Sequence, residues 1–300
     1  MVILNDMPRI YKIIFTISII LTVIAAVLVV KPGLNLGVDF VGGSVIEVQF
    51  EGDRPVIEEM DTSLANLPFE VSVSPVGDKG FILRSVALSQ DEHNSLTSIL
   101  NTEFGASNPV EARFDSIGPT IGKELKNKSL IAIVVVLIAV CVYIAIVFRK
   151  MAGTLSPWAM GLAAIVALAH DILIPLGLFA YLGAYHGVEI SAVFVAAILT
   201  ILGYSVSDTV VIFDRARENI IRGLKVESFG QLVHISVMQT LTRSLVTAFT
   251  TLLSLVAIYI FGGESIKYFA LALIVGIFLG AYSSIFIASP MLVFLSKKRR

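Results

Sequence analysis

Cysteine is almost absent from this 300-residue chain: Cys141 stands alone, so no intrachain disulfide can form. The histidines, His93, His170, His186 and His234, are too scattered for a metal-ligand motif. No glycine-rich cofactor loop and no nucleophile elbow occurs anywhere. An enzyme would have no activated nucleophile, metal or cofactor to work with, so no catalytic residue and no cofactor is expected. Basic charge is scarce in one region. Leu36 to Gly122 carries fourteen acidic residues against four basic ones, a balance of about −10. A segment of that sign excludes nucleic acid as a partner.

What the chain does have is apolar length. Hydrophobic residues make up 56% of it and its mean hydropathy is +0.88, against roughly 45–50% apolar usage in soluble domains. Six long runs stand out: Ile10–Val30, Ser129–Phe148, Pro157–Tyr181, Ile190–Phe213, Ser244–Phe261 and Tyr268–Leu295. At about 1.5 Å per residue each can cross a hydrocarbon core of about 30 Å. The fold class is therefore a polytopic α-helical membrane protein with six transmembrane helices. Arg9 and Lys12 precede the first run as in a signal peptide. That run exceeds the usual ~7–15 apolar residues and no small-x-small site follows it, so it is expected to stay as a spanning helix.

Lys and Arg in short loops set orientation. One side receives Arg9, Lys12, Arg149, Lys150, Arg215, Arg217, Arg222, Lys225 and the tail Lys297–Arg300; the opposite short loops offer only Lys267. Both termini are expected in the cytoplasm, with residues 36–122 exported. That segment reads as a folded domain. Ser44–Phe50 and Glu70–Val76 alternate as strands, Gly80–Val86 and Val110–Ile117 are further strands, and Pro55–Leu67 and Ser89–Phe104 are helical. Ser89 three residues before Glu92 is a capping-box pattern. The order β-α-β-β-α-β predicts an α+β ferredoxin-like unit between helices 1 and 2. Three regions follow: 1–35 with the first helix, 36–122 as this domain, and 123–300 with helices 2–6. An amphipathic cytoplasmic connector is expected at 214–241.

Two carboxylates fall where lipid should be. A charge in hydrocarbon costs about 2.5–3.5 kcal/mol on insertion scales, so such groups are paired, hydrated or functional. Asp208 lies six residues, or ~9 Å along a helix, before Asp214 and hence toward the cytoplasmic end of the fourth run. Gly203, Ser205 and Ser207 before it are small enough for close helix approach and interhelical hydrogen bonds. A proton- or ion-handling role is favoured over packing alone. Arg243 enters the fifth run at a similar depth, and either snorkels to the headgroups or joins Thr240, Thr242, Ser244 and Thr247 in a polar cluster. His170 and Asp171 sit near mid-membrane, one turn before Pro175, whose missing N–H leaves a carbonyl free. The pair either passes protons or locks two helices together. Glu264 in Phe261-Gly-Gly-Glu and Asp39 in Gly37-Val-Asp-Phe-Val-Gly42-Gly43 read as structural, the latter shaping the path from membrane into domain.

These stretches together resemble the SecD/SecF family of bacterial protein-export membrane proteins, in the form of its SecF members. The matching pieces are Gly37–Gly43, Ile117-Gly-Pro-Thr-Ile-Gly-Lys-Glu-Leu, His170-Asp171, Gly203-Tyr-Ser-Val-Ser-Asp-Thr-Val-Val-Ile-Phe-Asp214-Arg215, Thr240-Leu-Thr-Arg-Ser, Phe261-Gly-Gly-Glu and Tyr282-Ser-Ser-Ile-Phe-Ile-Ala-Ser-Pro. Ser207 stands where the family commonly has asparagine. The resemblance implies a resistance–nodulation–division architecture in the inner membrane and use of the proton-motive force to complete preprotein translocation. It implies a role for Asp208 and Arg243 in the proton pathway, with protons as the coupling ion and sodium as the alternative. It also implies SecD, the SecYEG channel, YajC and YidC as partners, an unfolded preprotein as substrate, and the lipid bilayer as surroundings. The rival readings are a small-molecule or lipid exporter of the same superfamily and a passive assembly subunit.

Overall fold

The computed structural model describes residues 7–149 and 156–296, apart from the side chains of Glu264 and Ser265. Lys150 and the tail from Lys297 fall outside these residues, as does the Glu264 side chain. The chain divides into two compact units: Met1–Asn35 with Ile131–Arg300, and Leu36–Leu130.

The first helix, α1, spans Arg9–Val30. The second unit then runs α2 (Val38–Val41), β1 (Gly43–Phe50), α3 (Ile57–Leu64), β2 (Val71–Val76), β3 (Gly80–Ser85), α4 (Gln90–Phe104) and β4 (Pro109–Ile117). The four strands form an antiparallel sheet in the order β2-β3-β1-β4. Alternation on β1 aims Ile46, Val48 and Phe50 at one face, where Phe81 and Leu83 of β3 join them. Met60 and Leu64 of α3 and Leu96 and Leu100 of α4 close that core. The capping box forms at the start of α4. The Glu92 backbone N–H donates to the Ser89 hydroxyl, and the Ser89 N–H donates back to the Glu92 carboxylate at 2.8 Å. That backbone donor, with the Ser89 hydroxyl, holds the Glu92 carboxyl below the usual carboxylate range.

Gly42 and Gly43 are fixed by close backbone approach. Their φ angles are +82° and +128°, a region that suits glycine. A β-carbon on Gly42 would lie 2.6 Å from the Cα of Pro119, and one on Gly43 would lie 2.8 Å from the Ser85 carbonyl oxygen. Gly122 in turn packs on the Gly42 backbone. The start of the next helix is therefore clamped to the sheet unit, which is why that unit extends to Leu130 rather than stopping at Gly122.

The long helices are α5 (Pro119–Val147), α6 (Pro157–His186), α7 (Ala192–Ile221), α8 (Phe229–Phe261) and α9 (Glu264–Ser283). A π turn at Ser284–Ala288 leads into α10 (Ser289–Ser296). Among the described residues, six spans are long and apolar enough to cross a membrane, the last being Ile266–Ser296. The segment expected as a surface connector at 214–241 is not a separate helix. It is shared between the end of α7, residues 222–228 and the start of α8, where Ser228 caps the Gln231 N–H. Polar contacts there sew α7 to α8: Asn219 donates to Ser236 and Gln239, and Arg215 donates to Gln239. These bonds tie the end of α7 to the start of α8.

Small residues set how closely the spans approach. A β-carbon on Gly177 of α6 would lie 2.6 Å from the Cα of Ala25 in α1. On α9, Gly276 faces Ile201 of α7 with no room for a side chain, and Gly280 faces Ser205 with 3.0 Å between the added β-carbon and the serine's own. The pair Gly276 and Gly280, four residues apart, thus seats α7 directly against α9. Pro175 leaves α6 unbroken, and the backbone acceptor it deprives of a partner is the carbonyl of Asp171.

Candidate functional site

The close contact of α7 with α9 brings a layer of hydroxyls around Asp171. This residue is fully buried on α6. Its Oδ2 accepts from Ser205 of α7 at 2.6 Å and from Ser283 of α9 at 2.7 Å. Its Oδ1 lies 2.8 Å from Nδ1 of His170. Three donors on one carboxylate are the arrangement that makes a buried anion tolerable. Nε2 of His170 is 2.9 Å from the hydroxyl of Tyr282, whose ring meets the imidazole edge-on. Tyr282 in turn makes a short hydrogen bond with Ser18 of α1. One polar chain therefore joins four helices.

Asp208 lies one turn along α7 from Ser205 and is half-buried. Its Oδ1 accepts a short hydrogen bond from Ser244 of α8, and its Oδ2 is buried with no hydrogen-bond partner. Ser284 stands near that carboxyl, but its hydroxyl is engaged by Thr209 at 2.9 Å and by the Gly280 carbonyl at 2.9 Å. Arg243 is exposed. Among the described residues no direct ion pair joins it to Asp208. The contrast between the two acids is chemical. Asp171 has a full set of donors, whereas Asp208 has one donor and one bare oxygen.

The remaining residues singled out in the sequence scatter. Ser205 belongs to the buried layer, while Gly203 and Ser207 are exposed on the opposite side of α7, with open space beyond Gly203. Asp214 pairs with Arg217 at 3.2 Å near the end of α7, and Arg215 pairs with Glu218. Asp39 sits in the first turn of α2, in the same strand-entry motif as Gly42 and Gly43. Ser18, Tyr282, Ser283 and Ser284 carry much of the polar layer. Read residue by residue, each is only a hydroxyl within an apolar run, which any helix can satisfy on its own i−4 carbonyl, although Tyr282, Ser283 and Ser284 also fall in a stretch that carries the family resemblance. The π turn that starts at Ser284 is a second sign, since such turns gather at functional sites. Among the described residues no cluster of His, Cys, Asp and Glu could hold a metal ion.

A six-span membrane protein with a four-stranded antiparallel unit after its first span and a hydroxyl-lined acidic layer inside its helices is the class defined so far. The family model described as "Protein export membrane protein SecD/SecF, C-terminal" matches residues 98–298, and "SecD/SecF GG Motif" matches residues 27–53 around Gly42 and Gly43. The chain is 42% identical over 93% of its length to the protein translocase subunit SecF of Thermobaculum terrenum, covering 90% of that protein. It is 37% identical to the SecF subunit of Anaerolinea thermophila, again over 93% of this chain and 90% of that one. The crystal structure of SecDF, a translocon-associated membrane protein from Thermus thermophilus, superposes with a TM-score of 0.82 at 33% identity. It covers 97% of this chain, which spans 38% of that longer one. SecDF in a super-membrane-facing form superposes with a TM-score of 0.66. The chain belongs to the SecD/SecF family of protein export membrane proteins. Its relatives are translocase subunits, transport components rather than catalytic enzymes, and its own candidate spans are those of a multi-pass membrane protein.

Proposed function

We propose that this chain uses the proton-motive force, together with a SecD subunit, to complete the passage of preproteins delivered by the SecYEG channel. The observation that carries this reading is the bare, buried Oδ2 of Asp208 beside a fully satisfied Asp171. An oxygen with no donor is the atom at which an arriving proton removes a charge without breaking an existing bond. Arg243, one residue from the Ser244 that holds Oδ1, biases that charge through space. His170 and Asp171 form the second, buried part of the pathway. One charge moved through 100 mV is worth about 2.3 kcal/mol, enough to shift a two-state helix packing by tens-fold.

In this reading the 36–130 unit is an exported, ferredoxin-like domain. Its βαββαβ order and β2-β3-β1-β4 sheet support that assignment. Both termini face the cytoplasm, as the distribution of Lys and Arg suggests. Partnership with SecD is supported by the fused SecDF relative of Brucella abortus, of which this chain spans 36%, and by the solved SecDF. It is supported also by the apolar window of α5, only 6% of which is buried inside this chain. YajC and YidC complete the proposed assembly, and protons rather than sodium are the coupling ion. The test is preprotein import into inside-out membrane vesicles with an imposed proton gradient. Asp208→Asn should abolish the gradient-dependent part of the rate at unchanged abundance. Undiminished stimulation would leave a passive assembly subunit as the surviving description.

A further inference from the structure

Residues 31–35 join α1 to the 36–130 unit. Five residues of loose chain could reach about 17 Å, so a tether of this length has ample slack. Its first part is loose: Gly33 takes a φ of +80° with open space around it. Its last residue is not. The Asn35 carbonyl oxygen accepts from the Ile190 N–H at 2.7 Å, and the Asn35 side-chain amide donates to the Gly187 carbonyl at the longer 3.5 Å. On α6, a β-carbon added to Gly183 would lie 2.9 Å from the Asn35 β-carbon and 3.1 Å from the Val188 carbonyl oxygen. Asn35 therefore rests directly on the backbone of α6, in a seat that glycine leaves open.

That seat is built on a stiff hairpin. Gly187 ends α6 in the left-handed conformation, with a φ of +67°, and the Val188 N–H returns to the Leu182 carbonyl at 3.3 Å. Val188 and Ile190 are buried. α1 itself touches α6 where Ala25 meets Gly177, six residues before Gly183. The chain thus leaves α6 after Gly177 and is caught again at Gly183, by its last residue before the 36–130 unit.

We infer, building on the proton-driven function proposed above, that Asn35 and Gly183 are positioning residues for preprotein import. They fix the point from which the 36–130 unit starts to α6, so that a shift of this helix reaches that point without slack. α6 carries His170 and Asp171, and Gly183 lies twelve residues from Asp171, about 18 Å along the helix. Pro175 lies between them, and α6 runs through it unbroken. Packed backbone carries coupling over such a distance, whereas a slack tether has no fixed end to move.

The experiment uses vesicles carrying the full-length chain with SecD, and measures proton entry and preprotein import in parallel. Gly183→Ala sets a β-carbon against Asn35 and lifts the linker from α6. It should lower gradient-driven import at least about fivefold, the low end of a coupling between two sites, while proton entry and abundance persist. Asn35→Gly in the same chain removes the atom that the alanine meets first and keeps the carbonyl that Ile190 holds. It should recover most of the loss. Hydrogen exchange reads the seat without import: the Ile190 amide should be protected in the wild type, exposed in Gly183→Ala and protected again in the double variant. A disulfide supplies the converse. Asn35→Cys with Gly183→Cys, in a Cys141→Ser background, places β-carbons 2.9 Å apart, and a bridge needs about 3.8 Å. The oxidised chain should import at least as well as its reduced form, because the bridge replaces the seat. Import lost on oxidation and regained with dithiothreitol would overturn the inference, since the linker would then have to leave α6. Wild-type import in Gly183→Ala would overturn it too, as would import and proton entry falling together, the mark of a merely structural contact. Asp208→Asn, run alongside, tests the parent function separately: full gradient stimulation there refutes proton drive, whatever the Gly183 variants do.

Discussion

At the scale of single residues, the two membrane aspartates differ in what surrounds them, and the difference predicts opposite responses. Asp171 depends on Ser205 and Ser283 for its tolerance of burial. Losing one donor to a charged acceptor costs about 1.5–3 kcal/mol. Ser205→Ala or Ser283→Ala should therefore lower the thermal midpoint of the detergent-purified protein by several degrees, read by intrinsic fluorescence. Asp208→Asn, which replaces a carboxyl with one bare oxygen by a neutral amide, should leave that midpoint unchanged or raised while removing gradient-dependent activity. The sequence identified both acids, His170 and the hydroxyls near Arg243 from type and depth alone. It did not separate Ser205 from Ser207, because only the direction each side chain takes off α7 makes one a ligand of Asp171 and leaves the other exposed. Nor did it pair Asp208 with Ser244 in preference to Arg243, since one residue of offset on α8 turns a side chain by about 100°.

At the scale of elements, glycine decides where two backbones or helices come close. Gly276 faces Ile201, which has no exposed surface. Gly276→Ala should push α7 from α9 and cost about 1–3 kcal/mol, the usual penalty of overpacking. Ile201→Ala made in the same chain should recover much of that loss, a coupling that a double-mutant cycle measures directly. Gly43→Ala meets the Ser85 carbonyl oxygen at a φ of +128°, so both sterics and backbone strain oppose it. The expected outcome is a 36–130 unit cleaved at much lower protease concentration, with the helical unit intact. The α4 cap has a pH signature. Glu92 is held below its ordinary value by Ser89, so this contribution is complete above the unfolded carboxylate pKa of ~4.3 and lost as pH falls through the folded one. Hydrogen exchange of residues 90–104 should accelerate on acidification in the wild type and show less pH dependence in Ser89→Ala. The periods of 2 and 3.6 made these strands and helices readable. The division of 214–241 between α7 and α8 escaped them, because charged residues extend a helix past the membrane as readily as they form a surface one.

At the scale of the whole molecule, burial is uneven among the spans. The apolar window of the last span is 67% buried within this chain and that of α1 only 11%. The proposed topology, with both termini in the cytoplasm, is open to a direct test. Terminal tags should be reached by protease only after the inner membrane is opened, with the 36–130 unit cleaved from the opposite face. Hydropathy and charge along the chain determined six apolar runs long enough to cross a membrane, an acidic segment between the first two, and two carboxyls stranded in apolar runs. Such properties follow from composition along the chain, because lipid selects on length and charge without reference to neighbours. Only the tertiary structure decided which acid is satisfied and which is bare. A carboxylate's donors come from other helices, and their seats are set by where glycine lets two backbones touch. No reading along one strand of sequence contains that distance.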